Sequence, residues 1–300
     1  MSNPKYKKQV GLLLRILPCV SKEKCFALYG DTAINLFIHN MPRLSVDIDL
    51  TYLPIKSRQI TLKNISGALE RIKNCIEDIL PNVRVLCKPD VGRLVIRADG
   101  EEIKLEVNLV MRGTLSTPEN RILCDQAQET YDMSLAMQVV PLGQLYGGKI
   151  CAALDRQHPR DLFDVKILME NEGFSDVIRE GFLLCLLCND RPINEVLVPN
   201  FQNQRQAMDN QFAGMSDIEF TYEDFEETRE QLVETVSKNL TDKDKAFLLS
   251  IKNCDPDWSI YDFARFPAVQ WKLYNLRKLK EDNPDKHNRL YQVLQERLEG

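Results

Sequence analysis

The chain has 300 residues, which is more than one domain usually contains, and we therefore expect two packed domains. Hydrophobic residues make up 44% of the chain and charged residues 28%, a balance that supports a hydrophobic core and argues against intrinsic disorder. The longest apolar run, residues 182–188, is too short to span a bilayer, and the net charge of −5 argues against a general nucleic-acid coat protein.

The amino-terminal segment does not have the pattern of an export signal. Lys5, Lys7 and Lys8 precede an apolar stretch, but Arg15 interrupts that stretch. We therefore expect a cytoplasmic protein with no membrane partner. In that reducing compartment its nine cysteines should be mostly free thiols.

Charge is unevenly distributed along the chain. Residues 5–24 contain six Lys or Arg against one Glu, and residues 269–300 contain seven against five acidic residues. Residues 217–234 contain eight acidic residues against one Arg. A basic patch formed by the two ends would attract a polyanion, and solvated helix faces explain the same pattern equally well.

Helix and strand patterns alternate in the first 115 residues. Apolar residues at spacings of three and four predict amphipathic helices, whereas alternation of apolar and polar residues predicts half-buried strands. In chain order, the predicted elements are a helix at 9–17, a strand at 26–29, a helix from Gly30 to about His39, a strand at 46–52, a helix at 57–80 and strands at 83–87, 94–97 and 103–110.

After Pro141 the pattern becomes almost wholly helical. Residues 190–220 show no clear periodicity. The sequence therefore predicts an α+β protein, with a mixed sheet and flanking helices in residues 1–140 and a helical domain in residues 141–300. The predicted helices of the second domain lie near 142–155, 159–171, 175–189, 224–239, 241–251, 269–281 and 284–298.

Two aspartates lie two residues apart on the predicted strand at 46–52. Asp47 and Asp49 therefore point to the same face of the sheet, where their like charges favour binding of a cation such as Mg²⁺. Glu106 lies on the polar face of the predicted strand at 103–110, and as a third carboxylate it would complete a two-ion site. The alternative is that the two aspartates only form a solvent-facing strand edge.

The turn before this strand favours a phosphate-binding site. Tyr29-Gly30-Asp31-Thr32 ends a strand and begins a helix, so backbone N–H groups and the positive helix end are available to phosphates. Paired carboxylates also serve glycosidases, but those enzymes lack such a turn. The order of strand, glycine turn, helix and acidic strand therefore indicates nucleotide chemistry.

These residues resemble the AbiEii/AbiGii toxin family, whose members are nucleotidyltransferases of the DNA polymerase β-like superfamily. The resemblance rests on residues 30–36, 43–50, 144–149 and 160–165, and more loosely on residues 267–272. It implies an N-terminal nucleotidyltransferase domain, a helical domain that completes the cleft, a nucleoside triphosphate substrate and an antitoxin partner in phage defence. Some relatives attach nucleotides to the acceptor end of tRNA, so the resemblance also implies an RNA acceptor.

The resemblance assigns Gly30, Asp31, Thr32 and Ser45 to nucleotide binding. It departs from the family pattern at Asp31, where a second Gly or a Ser is more common. A carboxylate about 4 Å from a triphosphate charge would repel it by about 1–4 kcal/mol, depending on the local dielectric. Asp31 either turns outward to cap the helix, or this chain is a weakened enzyme.

A lysine and an aspartate in the helical half carry another matching motif. Residues 143–150 nearly form a P-loop, but Ile150 lacks the hydroxyl that binds Mg²⁺. The resemblance implies instead that Lys149 projects toward the cleft and neutralises the triphosphate; the alternative is a surface lysine. It also implies that Asp161 contributes to activity by positioning Lys149, the nucleotide or the acceptor. Arg160 either contacts phosphate or pairs with an acid.

The sequence therefore predicts a Mg²⁺-dependent nucleotidyltransferase toxin. Asp47, Asp49 and Glu106 would ligate two Mg²⁺ ions, and Asp161 is the fourth catalytic candidate. The enzyme would transfer NMP from an NTP to an acceptor hydroxyl, with an RNA 3′ end as the expected acceptor, and release pyrophosphate. The alternative is a nucleotide-binding or antitoxin-binding module whose catalytic power is weakened by Asp31.

Overall fold

The computed structural model of the protein describes residues 3–299, which divide into two compact units. The first unit contains the described residues up to Pro141 together with Phe212–Glu219. The second contains Leu142–Gln211 and the residues from Phe220 onward. The sequence placed a single boundary after residue 140, whereas the chain returns once to the first unit.

The returning segment, Phe212–Glu219, is fixed by hydrogen bonds to the backbone that precedes the acidic strand. The Leu44 amide donates to the Met215 carbonyl at 2.7 Å, and the Ser216 hydroxyl donates to the Pro42 carbonyl at 2.8 Å. No periodicity marked this segment in the sequence, because its contacts are with residues more than 170 positions away in the chain.

The first unit is built on one mixed sheet of seven strands in the order β3-β4-β5-β2-β1-β7-β6. The predicted α+β class is confirmed. The strands are β1 (Phe26–Tyr29), β2 (Asp47–Tyr52), β3 (Arg84–Lys88), β4 (Arg93–Ala98), β5 (Glu101–Arg112), β6 (Glu119–Ile122) and β7 (Ala136–Val139). The helices are α1 (Pro4–Ser21), α2 (Gly30–Ala33, continued by a π-turn at Ile34–Ile38), α3 (Arg58–Ile79) and α4 (Asp125–Tyr131).

Strand β2 lies at the centre of this sheet. It is parallel to β5 and antiparallel to β1, so the acidic strand has a neighbour on both sides. Along β5, Ile103, Leu105 and Val107 are buried, and α1 and α3 pack on that face of the sheet. The residues between them, such as Lys104 and Asn108, are exposed on the opposite face. This alternation determines which face carries Asp47 and Asp49.

Three elements between residues 119 and 139 were not predicted. Strand β7 is parallel to β1 and antiparallel to β6, which forms an edge of the sheet. Each strand has only four residues, too few to show an alternation. They are stabilised by pairing with strands that are distant in the sequence.

The second unit is helical, as predicted. Its longest helices are α5 (Leu142–Arg156), α6 (Pro159–Asn171), α7 (Asp176–Cys188), α10 (Tyr222–Asn239), α11 (Asp242–Lys252), α12 (Pro267–Asp282) and α13 (Pro284–Glu299). The stretch left unassigned by the sequence contains α8 (Ile193–Leu197) and α9 (Arg205–Ala207), followed by a π-turn at Met208–Phe212.

Glycines set the distance between α5 and α7. A Cβ atom on Gly147 would lie 2.2 Å from the Gly181 backbone, and one on Gly181 would lie 1.8 Å from the Gly143 carbonyl oxygen. The two helix backbones are therefore in direct contact. The glycines that gave residues 143–150 the look of a P-loop serve helix packing.

Within residues 3–299, no helix is both long and apolar enough to cross a membrane. Of the nine cysteines, seven are free, and Cys19 and Cys75 form a disulfide between α1 and α3. The expectation of mostly free thiols is confirmed, and this one pair departs from it.

Candidate active site

The Gly30 turn lies directly against the carboxylate of Asp49. Gly30 has a φ of +72°, in the left-handed region that favours glycine, and it follows Tyr29, the register partner of Asp49. A Cβ atom at Gly30 would lie 2.7 Å from Asp49 Oδ2. The start of α2 and the Asp49 side chain are therefore on the same side of the sheet, with no space for a side chain between them.

Asp47 and Asp49 occupy one face of β2, and both are half-buried. Two buried hydroxyl groups form hydrogen bonds next to this strand. Thr32 Oγ1 donates to the Asp47 carbonyl at 2.5 Å and lies 2.8 Å from Ser45 Oγ. Because Thr32 has a single hydroxyl proton, Ser45 must donate to Thr32. In the structure their hydroxyls connect α2 to the acidic strand, and their contact with a nucleotide stays a prediction.

Asp31 is neutralised by a buried arginine. Its Oδ2 lies 2.7 Å from Arg43 Nη2, and the Arg43 side chain is fully buried. The Asp31 side chain is 16% exposed and held by this ion pair. The sequence did not single out Arg43, because the pairing depends on how the chain returns between α2 and β2.

Glu106 is directly opposite Asp49 in the parallel register of β2 and β5, and it therefore shares the face of the acidic pair. Its carboxylate, however, forms an ion pair with Arg93 of β4 at 2.7 Å. Among residues 3–299, no three His, Cys, Asp or Glu side chains are grouped closely enough to hold a metal ion. The chemistry of Asp47 and Asp49 suits Mg²⁺, which prefers carboxylate oxygens. Glu106 would join them through its other carboxylate oxygen or by releasing Arg93.

Lys149 is enclosed by carboxylates in the second unit. Its Nζ lies 2.9 Å from Asp161 Oδ1 and 3.0 Å from Asp164 Oδ2, and all three side chains are at most 3% exposed. Arg156 also binds Asp161, with Nε 2.5 Å from Oδ2. Two cations thus balance two aspartates. The alternative of a surface lysine is wrong, and of the roles considered for Asp161, positioning Lys149 is the one this geometry displays.

The remaining predicted residue of this motif, Arg160, lies at the start of α6. Its Nε is buried and has no hydrogen-bond partner within residues 3–299. The preceding His158 caps α6, because its Nδ1 accepts from the Arg160 amide at 3.1 Å. Its Nε2 contacts Gln211 at 2.9 Å. Burial lowers the pKa of His158, which favours the neutral, capping form.

Comparison with known families decides the classification. The family profile described as nucleotidyl transferase AbiEii toxin, type IV toxin–antitoxin system, matches residues 11–275. The chain belongs to the AbiEii nucleotidyltransferase toxin family. The predicted resemblance and the predicted enzyme class, a nucleotidyltransferase, are therefore confirmed.

Comparison with curated proteins gave no significant match. Among solved structures, the chain is similar to MenT4, a nucleotidyltransferase toxin from Mycobacterium tuberculosis H37Rv, with a TM-score of 0.63 and 13% sequence identity. The similarity covers 91% of this chain and 93% of MenT4. At that identity it shows a common fold.

The loosest of the AbiEii-like motifs, residues 267–272, has a structural role in the second unit. Lys272 Nζ donates to the carbonyls of Asn189 and Arg191 at 2.5 and 2.6 Å, and so connects α12 to the end of α7. Burial lowers the pKa of Lys272 to about 8.

Proposed function

We propose that this AbiEii-family enzyme is a Mg²⁺-dependent transferase that attaches NMP from an NTP to the 3′ end of an RNA, with a tRNA acceptor end as the expected target. The observation that carries the proposal is the close approach of the Gly30 turn to Asp49. It brings a backbone suited to phosphates and a carboxylate suited to a cation onto one side of the sheet.

Asp47 and Asp49 would hold Mg²⁺, and Glu106 would join them through its other carboxylate oxygen or after exchanging Arg93 for the cation. When bound, Mg²⁺ supplies charge neutralisation at the triphosphate and lowers the pKa of the attacking hydroxyl. The hydroxyls of Thr32 and Ser45 keep the acidic strand aligned with the helix start. This positioning role is proposed for them in addition to the predicted contact with the nucleotide.

The ion pair between Asp31 and Arg43 favours an active enzyme over a weakened one. An isolated carboxylate at this position would oppose a triphosphate by about 1–4 kcal/mol. Because Arg43 lies 2.7 Å from Asp31 and is itself buried, the pair adds no net charge beside the phosphates. This pairing supports the enzyme over the binding-module alternative.

An RNA acceptor is supported by the charge on the sheet face next to the acidic pair. In the strand registers, Arg84 is opposite Arg97, and Lys88 is opposite Arg93. Like charges placed directly opposite one another destabilise a sheet unless counter-charges are nearby. On β5, Lys104 is also the register partner of Asp47. Glu106 and Glu102 on the same face form ion pairs with Arg93 and Arg97 at 2.7 and 2.5 Å. The positive charge that this basic face offers to a phosphate backbone therefore comes mainly from Lys104, Arg84 and Lys88.

The remaining parts of the proposal follow from the family. The family also implies nucleotide contacts for Lys149 and Arg160. Because Lys149 is enclosed by Asp161 and Asp164, we propose that it fixes the structure of the second unit, and that Arg160 contributes positive charge for the nucleotide. An antitoxin protein is the proposed partner, the cytoplasm the proposed location and phage defence the proposed biological setting.

The test is transfer of label from NTP to total RNA in the presence of Mg²⁺. We expect label from the α-phosphate, and none from the γ-phosphate, to appear in RNA with the wild-type protein. Asp49→Asn should reduce transfer at least about 10³-fold, while Glu119→Gln on the edge strand β6 retains it. Nucleotide binding without transfer under any of these conditions would instead identify a binding module.

A second arm tests the acceptor surface. Replacing Arg84 and Lys88 together by glutamate should weaken RNA binding. The slope of the logarithm of the RNA binding constant against the logarithm of salt concentration should become shallower by about one for each lost phosphate contact. The KM for NTP should stay unchanged. An unchanged affinity for RNA would show that the basic face does not bind the acceptor. The proposal of nucleotidyl transfer itself would not be affected.

A further inference from the structure

A buried arginine lies at the end of β5. Arg112 is 7% exposed, and its Nε and Nη1 are buried with no hydrogen-bond partner among the described residues. A buried guanidinium nitrogen that makes no hydrogen bond costs desolvation free energy that no protein contact offsets. Arg112 has no role in the proposed transfer reaction, and its two buried donors are available to an anionic ligand.

Strand register places Arg112 on the opposite face of the sheet from the acidic pair. Its register partner is Tyr52, whose side chain alternates with those of Asp49 and Thr51 along β2. The Tyr52 hydroxyl is 2.9 Å from Asn64 Nδ2 of α3. The first turns of α3 therefore lie over the end of the sheet where Arg112 is buried.

The start of α3 presents unsatisfied N–H groups at this end. The helix has 22 residues, its preceding Ser57 makes no side-chain capping bond, and its first turn contains no acidic residue. The Thr61 amide donates to the Ser57 carbonyl, so the three amides of residues 58–60 precede the first intrahelical bond. The positive end of the helix thus has no anionic partner in the sequence next to it.

The charged residues in the sequence on either side of the start of α3 are all positive, and the nearby carboxylate of Glu23 is ion-paired with Arg71. Residues 50–69 include no Asp or Glu, but they include Lys56, Arg58 and Lys63. Burial lowers the pKa of Arg112, and the nearby charge of Arg58 lowers it further. Two guanidinium groups therefore repel each other with no carboxylate in this segment to compensate.

We propose that Arg112, Arg58 and the amino terminus of α3 form a binding site for a phosphate group, separate from the nucleotidyl-transfer site. A guanidinium fork matches two phosphate oxygens, and a helix amino terminus supplies further N–H donors. The phosphate belongs either to a free inorganic or small-molecule phosphate or to a phosphodiester of RNA. The site stands on its own geometry and does not depend on the proposed transfer reaction.

Thermal unfolding of the full chain tests the site. At equal ionic strength, replacing chloride by inorganic phosphate at about tenfold its Kd should raise the wild-type Tm by roughly 2–4 °C. Arg112→Met should abolish this rise, and Arg58→Gln should reduce it. Lys63→Gln removes an exposed charge from the same helix and should leave the rise unchanged.

Hydrogen exchange locates the effect and keeps the test valid if Arg112→Met is unstable. Phosphate should slow exchange of the amides of residues 58–60 in the wild type, and Arg58→Gln should weaken that protection. Protection confined to the Gly30 turn, or an equal Tm rise in wild type and Arg112→Met, overturns the proposal.

Binding of a short RNA that lacks terminal phosphates separates the two sources of phosphate. If the site holds a phosphodiester, Arg112→Met should lower RNA affinity and reduce the salt slope by about one. If it holds a free phosphate, RNA binding should be the same in wild type and Arg112→Met, while the phosphate-dependent Tm rise is still lost.

Discussion

The acidic strand of the first unit and the Lys149 cluster of the second unit both combine aspartates with cations, but they differ in burial. Asp47 and Asp49 are half-buried beside a turn that has no side chain at Gly30. Asp161 and Asp164 are at most 1% exposed and close around Lys149. Charged groups that retain access to solvent can exchange partners with a ligand, whereas a buried, balanced cluster mainly fixes the conformation around it.

The largest effect is expected for a substitution in the buried Lys149 cluster. Lys149→Met leaves two aspartates buried without their shared cation, and should lower the free energy of unfolding by about 3–5 kcal/mol in urea titrations. Arg156→Gln is the matched control, because the Arg156 side chain is 57% exposed and Lys149 still bridges the two aspartates, so its cost should be clearly smaller than that of Lys149→Met. A stable Lys149→Met protein that has lost only nucleotide affinity would show that Lys149 serves the substrate and not the fold.

The next effect tests the close approach in the first unit. Gly30→Ala introduces a Cβ 2.7 Å from Asp49 Oδ2, so the carboxylate must move, and label transfer should fall about 10²-fold. Gly100→Ala is the control, since Gly100 also has a positive φ, +81°, but has no atom within 4 Å of its Cβ position. Both variants should lose similar stability, about 1 kcal/mol. Equal activity in the two variants would contradict the proposed role of the turn.

A smaller effect tests the neutralised Asp31. Arg43→Met removes the guanidinium that pairs with the Asp31 carboxylate, and NTP binding should weaken by an amount within about 1–4 kcal/mol, measured by titration calorimetry. Adding Asp31→Ser to Arg43→Met should restore most of that affinity, because the repulsive charge is removed. Failure of the second change to restore binding would show that Arg43 contacts the nucleotide itself.

The smallest effect is a pH dependence of the second unit. The folded pKa of His158 lies below its ordinary value of about 6.5, so the unfolded chain binds the proton more readily. The stability that His158 contributes is therefore present above pH about 6.5 and is lost as the pH falls from there through the folded pKa. His158→Asn retains a capping side chain without a titrating group and should flatten this part of the stability profile. An unchanged profile in His158→Asn would assign the pH dependence to other groups.

Local sequence patterns predicted most of the elements. The spacing of apolar residues located α3 to within one residue at each end, and β1 and α6 were predicted with the bounds that the structure has. Strand β7 was not predicted, because four residues carry little periodicity and its place beside β1 depends on long-range pairing. For the same reason, the return of Phe212–Glu219 to the first unit could not be inferred from composition.

Within the candidate site, the sequence could place side chains on a face but could not assign their partners. Alternation along β2 put Asp47 and Asp49 on one side, and the polar face of β5 did the same for Glu106. The ion pair between Glu106 and Arg93 depends on the register of β4 against β5, which alternation alone does not determine. The partners of Asp31 and Lys149 likewise depend on distances between elements.

By itself, the sequence determined the family, the two kinds of secondary structure along the chain and the acidic strand after a glycine turn, because these are encoded in neighbouring residues. Only the tertiary structure decided which charges are compensated. Compensation depends on distances of about 3 Å between side chains that are often far apart in the chain, and on burial, which strengthens each pair. That is why Asp31 and Lys149 were recognised as candidates, while Arg43 and Arg112 emerged only from the folded protein.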